Sequence, residues 1–328
     1  MRILVTGASG FIGSSFIRRL LDPSQPKPDV FKNATVTGFA RMTDTRNLKR
    51  LETPHIEQAK KTGKFILRFG DLLHDISGIC EGIDAVVHFA AKTFVDHAIR
   101  DPEPFIQANL VGTYRILEDA RKCRVKRFVQ ISTDEVYGPI HEGAYVEDSR
   151  LNPTNPYSAT KAAADCLAIS YAHSYNMHIT VTRTENNYGP YQHRQKVLPT
   201  FVKKAIAGEP LPVYGDGQHR RQWLWVDDHV DAVLQLLLRE SSSGQVYHVA
   251  GSQELTNLEL AHIILDRTGK SRDQVLYMPD HDIRPGHDRR YALDSAKLRS
   301  CGWEPKVSLK EGLEKAVDWY MNNLWWLE

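Results

Sequence analysis

Met1-Arg2-Ile3-Leu4-Val5-Thr6-Gly7-Ala8-Ser9-Gly10-Phe11-Ile12-Gly13 opens the chain. A short β-branched run gives way to three glycines at intervals of three, and a helix-period stretch, Phe11–Leu21, follows. Such a strand, turn and helix need glycine where the chain turns tightly, where backbone approaches a pyrophosphate, and where helix packs on strand. The amino end of the helix then offers N–H groups and a positive dipole end to phosphate. Gly7, Gly10, Phe11, Ile12 and Gly13 are therefore the expected phosphate cradle for a dinucleotide.

Outward from that turn, further buried strands are expected at Thr35–Phe39, Phe65–Phe69, Ala85–Phe89, Arg127–Ile131 and His178–Arg183. Helical periods fill Pro104–Cys123 and Ser158–Ser174, while three prolines mark Pro23–Lys32 as a loop. The alternation predicts an α/β fold, a Rossmann-type doubly wound parallel sheet. After Arg183 the texture turns to short helices and turns, which predicts a smaller mixed α/β substrate-binding lobe. The expected division is 1–185 for the dinucleotide domain and 186–328 for the lobe. A strand–helix–strand unit at about 223–250 is expected to return to the first domain.

Composition narrows the function classes. The 328 residues carry 42 Lys and Arg against 40 Asp and Glu, a net charge of +2, so nucleic acid and membrane surfaces are not expected partners. No apolar run reaches the length of roughly 18 residues that a membrane span needs, and no signal peptide is visible. Four cysteines lack zinc or disulfide spacing, and the histidines form no ligand set, so no metal is expected. A cytoplasmic protein is the expectation.

Tyr157-Ser158-Ala159-Thr160-Lys161 sets a phenol and an ammonium one helical turn apart, after a strand that ends in Ser132-Thr133. A phenol is a poor base at neutral pH, and an adjacent ammonium favours its phenolate. The pattern predicts hydride-transfer chemistry. Asp134-Glu135 adds two adjacent carboxylates, an arrangement suited to one acid and one base. Such a pair serves an elimination and has no use in a simple epimerisation.

The three-glycine spacing resembles the extended short-chain dehydrogenase/reductase family. That resemblance implies cofactor contacts from Asp71 and Leu72 after the third strand and from Ala90 and Ala91 after the fourth. At the end of the second strand, Ala40-Arg41 stands where an acidic residue usually holds the ribose diol, so NAD is expected with NADP left open. Thr133-Asp134-Glu135-Val136-Tyr137-Gly138, Asn186-Asn187-Tyr188-Gly189-Pro190-Tyr191-Gln192, Trp223-Leu224-Trp225-Val226-Asp227-Asp228-His229 and Arg284-Pro285-Gly286-His287-Asp288-Arg289-Arg290-Tyr291 resemble the motifs of dTDP-glucose 4,6-dehydratases. The likeness runs from Met1 to the tryptophan-rich end.

The resemblance implies oxidation of a sugar at C4 with Tyr157 as base and Lys161 and Thr133 beside it. Glu135 would then remove the C5 proton, Asp134 would protonate the departing C6 hydroxyl, and the hydride would return to C6. It also implies a nucleoside diphosphate sugar held by Asn186, Lys196, Val197, Pro212, Val213, Tyr214, Arg221, Asn257, Arg284 and His287, with Asn187 near the cofactor. A homodimer through a four-helix bundle of the Pro104–Cys123 and Ser158–Ser174 helices is implied too, with Cys123 and Cys166 as packing residues.

Two positions depart from that pattern. Lys92-Thr93-Phe94 replaces an expected Glu-Ser-His, and Glu185 replaces a serine or cysteine before the Asn pair. Lys92, Thr93 and Glu185 are expected at the sugar pocket, with Lys92 and Glu185 as a swapped ion pair. The identity of the hexose, and return of the hydride to C4 with a 5,6-ene product, stay open. A 4-epimerase is the alternative enzyme and a catalytically silent dinucleotide sensor the alternative class.

Overall fold

A computed structural model describes residues 1–42, 45–251, 253–279 and 288–328. Its strands are β1 (Arg2–Thr6), β2 (Thr35–Ala40), β3 (Phe65–Phe69), β4 (Ala85–His88), β5 (Arg127–Thr133), β6 (Ile179–Thr184), β7 (Asn186–Tyr188), β8 (Leu211–Tyr214), β9 (Arg220–Trp225), β10 (Gln245–Val249), β11 (Glu254–Thr256) and β12 (Val275–Met278). Seven of them form one parallel sheet in the order β10-β6-β5-β4-β1-β2-β3. Strand order reverses at β1, and ligands of such sheets bind outside the carboxyl ends at that switch point. Its central strands β4, β5 and β6 are buried on both faces, as parallel strands are, while the edge strand β3 is partly exposed. Helices Phe11–Leu21 and Val226–Leu238 share one apolar core with Ile3, Val5, Val87 and Val129. Helices Gly112–Lys122 and Pro156–Tyr175 share the other with Leu4, Val86, Phe128 and Val181.

The rest builds the lobe. β7, β9 and β11 make a three-stranded sheet, and β8 pairs with β12. Helices Val197–Ala207, Asn257–Arg267 and Leu309–Asn322 close a third core around Tyr188, Trp223 and Trp225. Trp319, Tyr320 and Trp326 join this core, whereas Trp325 is exposed.

Several expectations shift. The returning unit starts at Val226, because β9 pairs with β7 and β11 in the lobe; only the helix and β10 rejoin the main sheet. Pro23–Lys32 is not all loop, since Asp29–Lys32 forms one helical turn directly after Pro28, where a missing N–H costs nothing. The helix expected over Pro104–Cys123 contains a π-helical segment, Ile106–Val111. Within it, Asn109 turns its side chain onto Lys92, accepting from the backbone N–H at 2.8 Å and donating to the carbonyl at 3.0 Å. Cys166 is exposed in the single chain, whereas Cys123 is half-buried against the core.

Candidate active site

Gly7 has φ +67°, a conformation that favours glycine, and its carbonyl receives the Gly10 N–H at 2.8 Å. A Cβ on Gly7 would stand 2.8 Å from the Ala90 nitrogen, and one on Gly13 would overlap the Gly7 carbonyl oxygen. The turn therefore lies directly against Ala90 at the end of β4. The close backbone packing that these glycines permit brings the turn to the head of the Phe11–Leu21 helix, where Phe11 and Ile12 are the first residues and helix N–H groups suit a phosphate. These residues fit a dinucleotide.

At the ribose end, Arg41 Nε lies 3.2 Å from Asp71 Oδ2, and Asp71 Oδ1 accepts the Leu73 N–H at 3.0 Å. Ala40 and Leu72 are buried in the two cores beside this pair. Sequence reasoning missed Arg50. It is 2% exposed, donates to the carbonyls of Ser9 in the glycine turn (2.8 Å) and Tyr191 in the lobe (2.9 Å), and packs its guanidinium 4.7 Å from the Trp326 ring centroid. No local motif signals it, because the contacts that join the turn to the lobe, to Ser9, Tyr191 and Trp326, are distant in sequence.

The catalytic candidates meet where β5 ends. Thr133 donates to Asp134 Oδ1 at 3.0 Å and accepts the Glu135 N–H at 3.3 Å, which fixes the turn Asp134–Tyr137. Asn155 caps the helix Pro156–Tyr175 by accepting the Ser158 N–H, and its Nδ2 reaches Glu135 Oε2 at 3.4 Å. The cap thus ties the helix of Tyr157 and Lys161 to the carboxylate turn. Burial and the neighbouring Glu135 push Asp134 up to about 7. Burial also raises Glu135, against the opposing pull of Lys196 and Arg221.

Tyr157 departs from the simplest reading of its motif. Burial, then Glu135, drive its phenol upward, and only the Thr133 hydroxyl opposes them. Lys161 donates to the Ile131 carbonyl at 2.6 Å, and burial lowers it to about 8. The resting pair is a phenol beside an ammonium. It becomes a base only when further positive charge arrives.

A cavity of ≈ 450 Å³ opens over this turn. Thr93, Asp134, Glu135, Asn186, Lys196, Val197, Pro212, Tyr214, Arg221 and Asn257 line it, all of them sequence candidates. Phe94, Trp223 and Tyr291, which stand in the quoted motifs but were not named as site residues, line it as well, and so does Asn155. Lys196 Nζ sits 4.8 Å above the Phe94 ring centroid. The Arg221 guanidinium lies 4.7 Å from that of Tyr291, whose hydroxyl donates to Asp288 at 2.6 Å. Cations and aromatic faces on one wall suit a nucleoside diphosphate.

Four candidates stand elsewhere. Val213 is buried in the lobe core, since alternation along β8 turns Pro212 and Tyr214 to the cavity and Val213 away. Asn187 is turned into the protein, donating to Thr184 Oγ1 and bonding His229. Lys92 and Glu185 form no ion pair. The Lys92 ammonium lies 5.7 Å from the Phe105 ring centroid, and Glu185, 3% exposed, accepts the Gly251 N–H at 2.6 Å. Arg284 and His287 lie outside the described residues. Among the described residues no group of three His, Cys, Asp or Glu is arranged to hold a metal, and no helix is long and apolar enough to cross a membrane.

Known proteins share this architecture. The chain is 44% identical to a dTDP-glucose 4,6-dehydratase of Streptomyces niveus, over 99% of this chain and 95% of that protein. It is 42% identical to the low-salt glycan biosynthesis protein Agl12 of Haloferax volcanii, over 98% and 99%. The crystal structure of a dTDP-glucose 4,6-dehydratase from Streptomyces venezuelae with NAD bound superposes with a TM-score of 0.89 at 40% identity, covering 100% of this chain and 99% of that one. The profile of the GDP-mannose 4,6 dehydratase family matches residues 4–316. With a match of that extent over the same glycine turn, Tyr-Lys pair and carboxylate pair, the chain belongs to the GDP-mannose 4,6 dehydratase family.

Proposed function

We propose that this protein is a nucleotide-sugar 4,6-dehydratase that acts on dTDP-glucose with bound NAD and forms the 4-keto-6-deoxy sugar. The observation that carries the proposal is that Asp134 and Glu135 both line the cavity, within electrostatic reach of Tyr157, with Asp134 pushed up to about 7. The dehydratase relatives, and the NAD in the Streptomyces venezuelae structure, support the same substrate and cofactor.

Gly7, Gly10, Phe11, Ile12, Gly13, Ala90 and Ala91 would hold NAD, which when bound supplies the oxidation at C4 and the matching reduction at C6. Tyr157 takes the proton of the C4 hydroxyl once a cation stands beside it to offset burial and Glu135. A ketone at C4 acidifies C5, and Glu135 removes that proton. Asp134, the carboxyl held closer to neutrality, protonates the C6 hydroxyl as it leaves. Arg221 and Lys196 anchor the diphosphate, away from the reacting carbons. A 4-epimerase has no use for the two carboxyls.

The protein works as a cytoplasmic homodimer. Ile106, Tyr114 and Cys166 are exposed on the two helical stretches that flank the sheet, which supports a helix-pair interface. The decisive experiment is incubation with a panel of nucleoside diphosphate hexoses, read by mass spectrometry. Loss of one water from dTDP-glucose is expected. Inversion at C4 without loss of water would overturn the proposal.

A further inference from the structure

Behind the catalytic pair lies a buried ionic chain that the proposed chemistry does not use directly. Tyr157, Lys161 and Asp165 follow one another at four-residue intervals on the helix Pro156–Tyr175, so they share one face, and all three are buried. Asp165 is 0% exposed. Its Oδ2 accepts from Arg183 Nε, on β6, at 3.0 Å. Arg183 is itself committed elsewhere: Nη1 donates to the Tyr137 hydroxyl at 2.5 Å, and the guanidinium lies 4.9 Å from the Tyr137 ring centroid. The Tyr137 hydroxyl also bonds His248 Nε2 at 2.6 Å, and His248 Nδ1 bonds the Asp294 carbonyl at 2.9 Å. The guanidinium is thereby locked against the carboxylate.

We infer that Asp165 is a positioning residue for the hydride-transfer pair, an anion pinned by Arg183 that keeps the Lys161 ammonium charged on the Ile131 carbonyl. Every charged or titratable neighbour of Lys161 bears on this. His88, from β4, is shut between Thr6 and Thr113 and held neutral, pushed down to about 3. Tyr157 is a phenol, with Asp134 and Glu135 beyond it on the turn after β5. Arg183, from β6, is a cation that opposes a second cation. Asp165 is the neighbouring charge that raises Lys161 against its burial. Burial raises Asp165, and Arg183 and then Lys161 oppose that rise. A buried ion pair is a weak source of stability compared with apolar packing, so stability alone does not explain one placed a helical turn beyond the reactive lysine.

The inference rests on the dehydratase reading for its kinetic arm only. The test uses the full chain labelled with 13C at lysine Cε, the Lys161 signal being assigned by its loss in Lys161→Arg. In Asp165→Asn, which preserves shape and an acceptor for Arg183, the Lys161 titration is expected to fall by about one to three pH units, the usual effect of losing a close opposite charge. The alkaline limb of sugar oxidation, followed by nicotinamide absorbance in a single turnover, is expected to fall with it. Asp165→Glu restores both. Should Asp165→Asn not fold, the double variant D165N/R183M removes the stranded guanidinium and is expected to shift Lys161 the same way by a smaller amount. An unchanged Lys161 titration in whichever of these variants folds overturns the inference. So does a loss of rate that is uniform across pH. A wild-type protein that dehydrates no hexose counts against the proposed function and leaves the titration test standing.

Discussion

Two carboxyls one residue apart can do opposite work only if their proton affinities are used differently, and here both are raised. In the proposed reaction Asp134, pushed up to about 7, carries the proton that releases the C6 hydroxyl. Above neutrality that proton is lost, so the elimination rate should fall about tenfold per pH unit beyond pH 7. Asp134→Asn should lower turnover by about 10²–10⁴-fold and flatten that limb, and a pH series of product formation measures both. A limb that persists in the variant would assign it to another group. Glu185 makes a separate case. Its folded-state affinity lies well above the ordinary carboxyl value because burial dominates, with one N–H from Gly251 opposing. A raised carboxyl contributes stability below its unfolded value, near pH 4.5, and loses it as pH rises toward the folded value, at about 1.4 kcal/mol per unit. Gln keeps the acceptor and never ionises. Glu185→Gln should therefore melt above wild type at pH 8 and match it at pH 4. An equal gain at both would show packing as the cause. Motif reading identified Glu185 as unusual and misjudged its surroundings, because sequence does not say which of Glu185, Asn186 and Asn187 turns inward.

At the scale of elements, the glycine turn and Tyr-Lys helix were legible because their spacing encodes local geometry, 3.6 residues per turn and a tight strand-to-helix corner. Phe11–Leu21 and Phe65–Phe69 match the expected bounds residue for residue. The π-helical segment was not legible. It depends on Asn109 meeting the Lys92 backbone, a contact made only after the sheet has assembled. Val213 was misplaced for a related reason, since a strand's alternation is visible in sequence but its core-facing side is set by what packs on it. Gly13 tests the local argument. Within a helix, Gly→Ala ordinarily stabilises by about 0.5–1 kcal/mol. Here the added methyl would overlap the Gly7 carbonyl oxygen, backbone that cannot step aside without opening the turn. Gly13→Ala should reverse the usual sign and lower the melting temperature. It should also weaken NAD binding at least tenfold by calorimetry, while a variant that binds NAD normally would show that the turn tolerates the shift.

At the scale of the whole molecule, near-neutral net charge and two lobes were readable from composition and texture, but the joint between them was not. That joint is Arg50. It follows β2, yet its guanidinium reaches Ser9 in the cradle, Tyr191 in the lobe and the ring of Trp326 near the carboxyl terminus. Arg18 reinforces it, donating to the Arg50 carbonyl at 3.0 Å and lying 4.9 Å from the Tyr191 ring centroid. A single side chain thus couples the glycine turn to the lobe that helps line the cavity. Its distant hydrogen-bond partners, on Ser9 and Tyr191, are main-chain carbonyls, which carry no sequence signature. Replacing Arg50 by Met keeps much of the apolar stem contact and removes every donor, leaving the Ser9 and Tyr191 carbonyls unsatisfied at about 1–3 kcal/mol each. Arg50→Met should lower unfolding free energy by about 2–5 kcal/mol in denaturant titration and weaken NAD and dTDP affinity together, because both seats depend on the joint. Weakened binding of only one ligand would mean that the lobes are held in register by other contacts and that Arg50 serves the glycine turn alone.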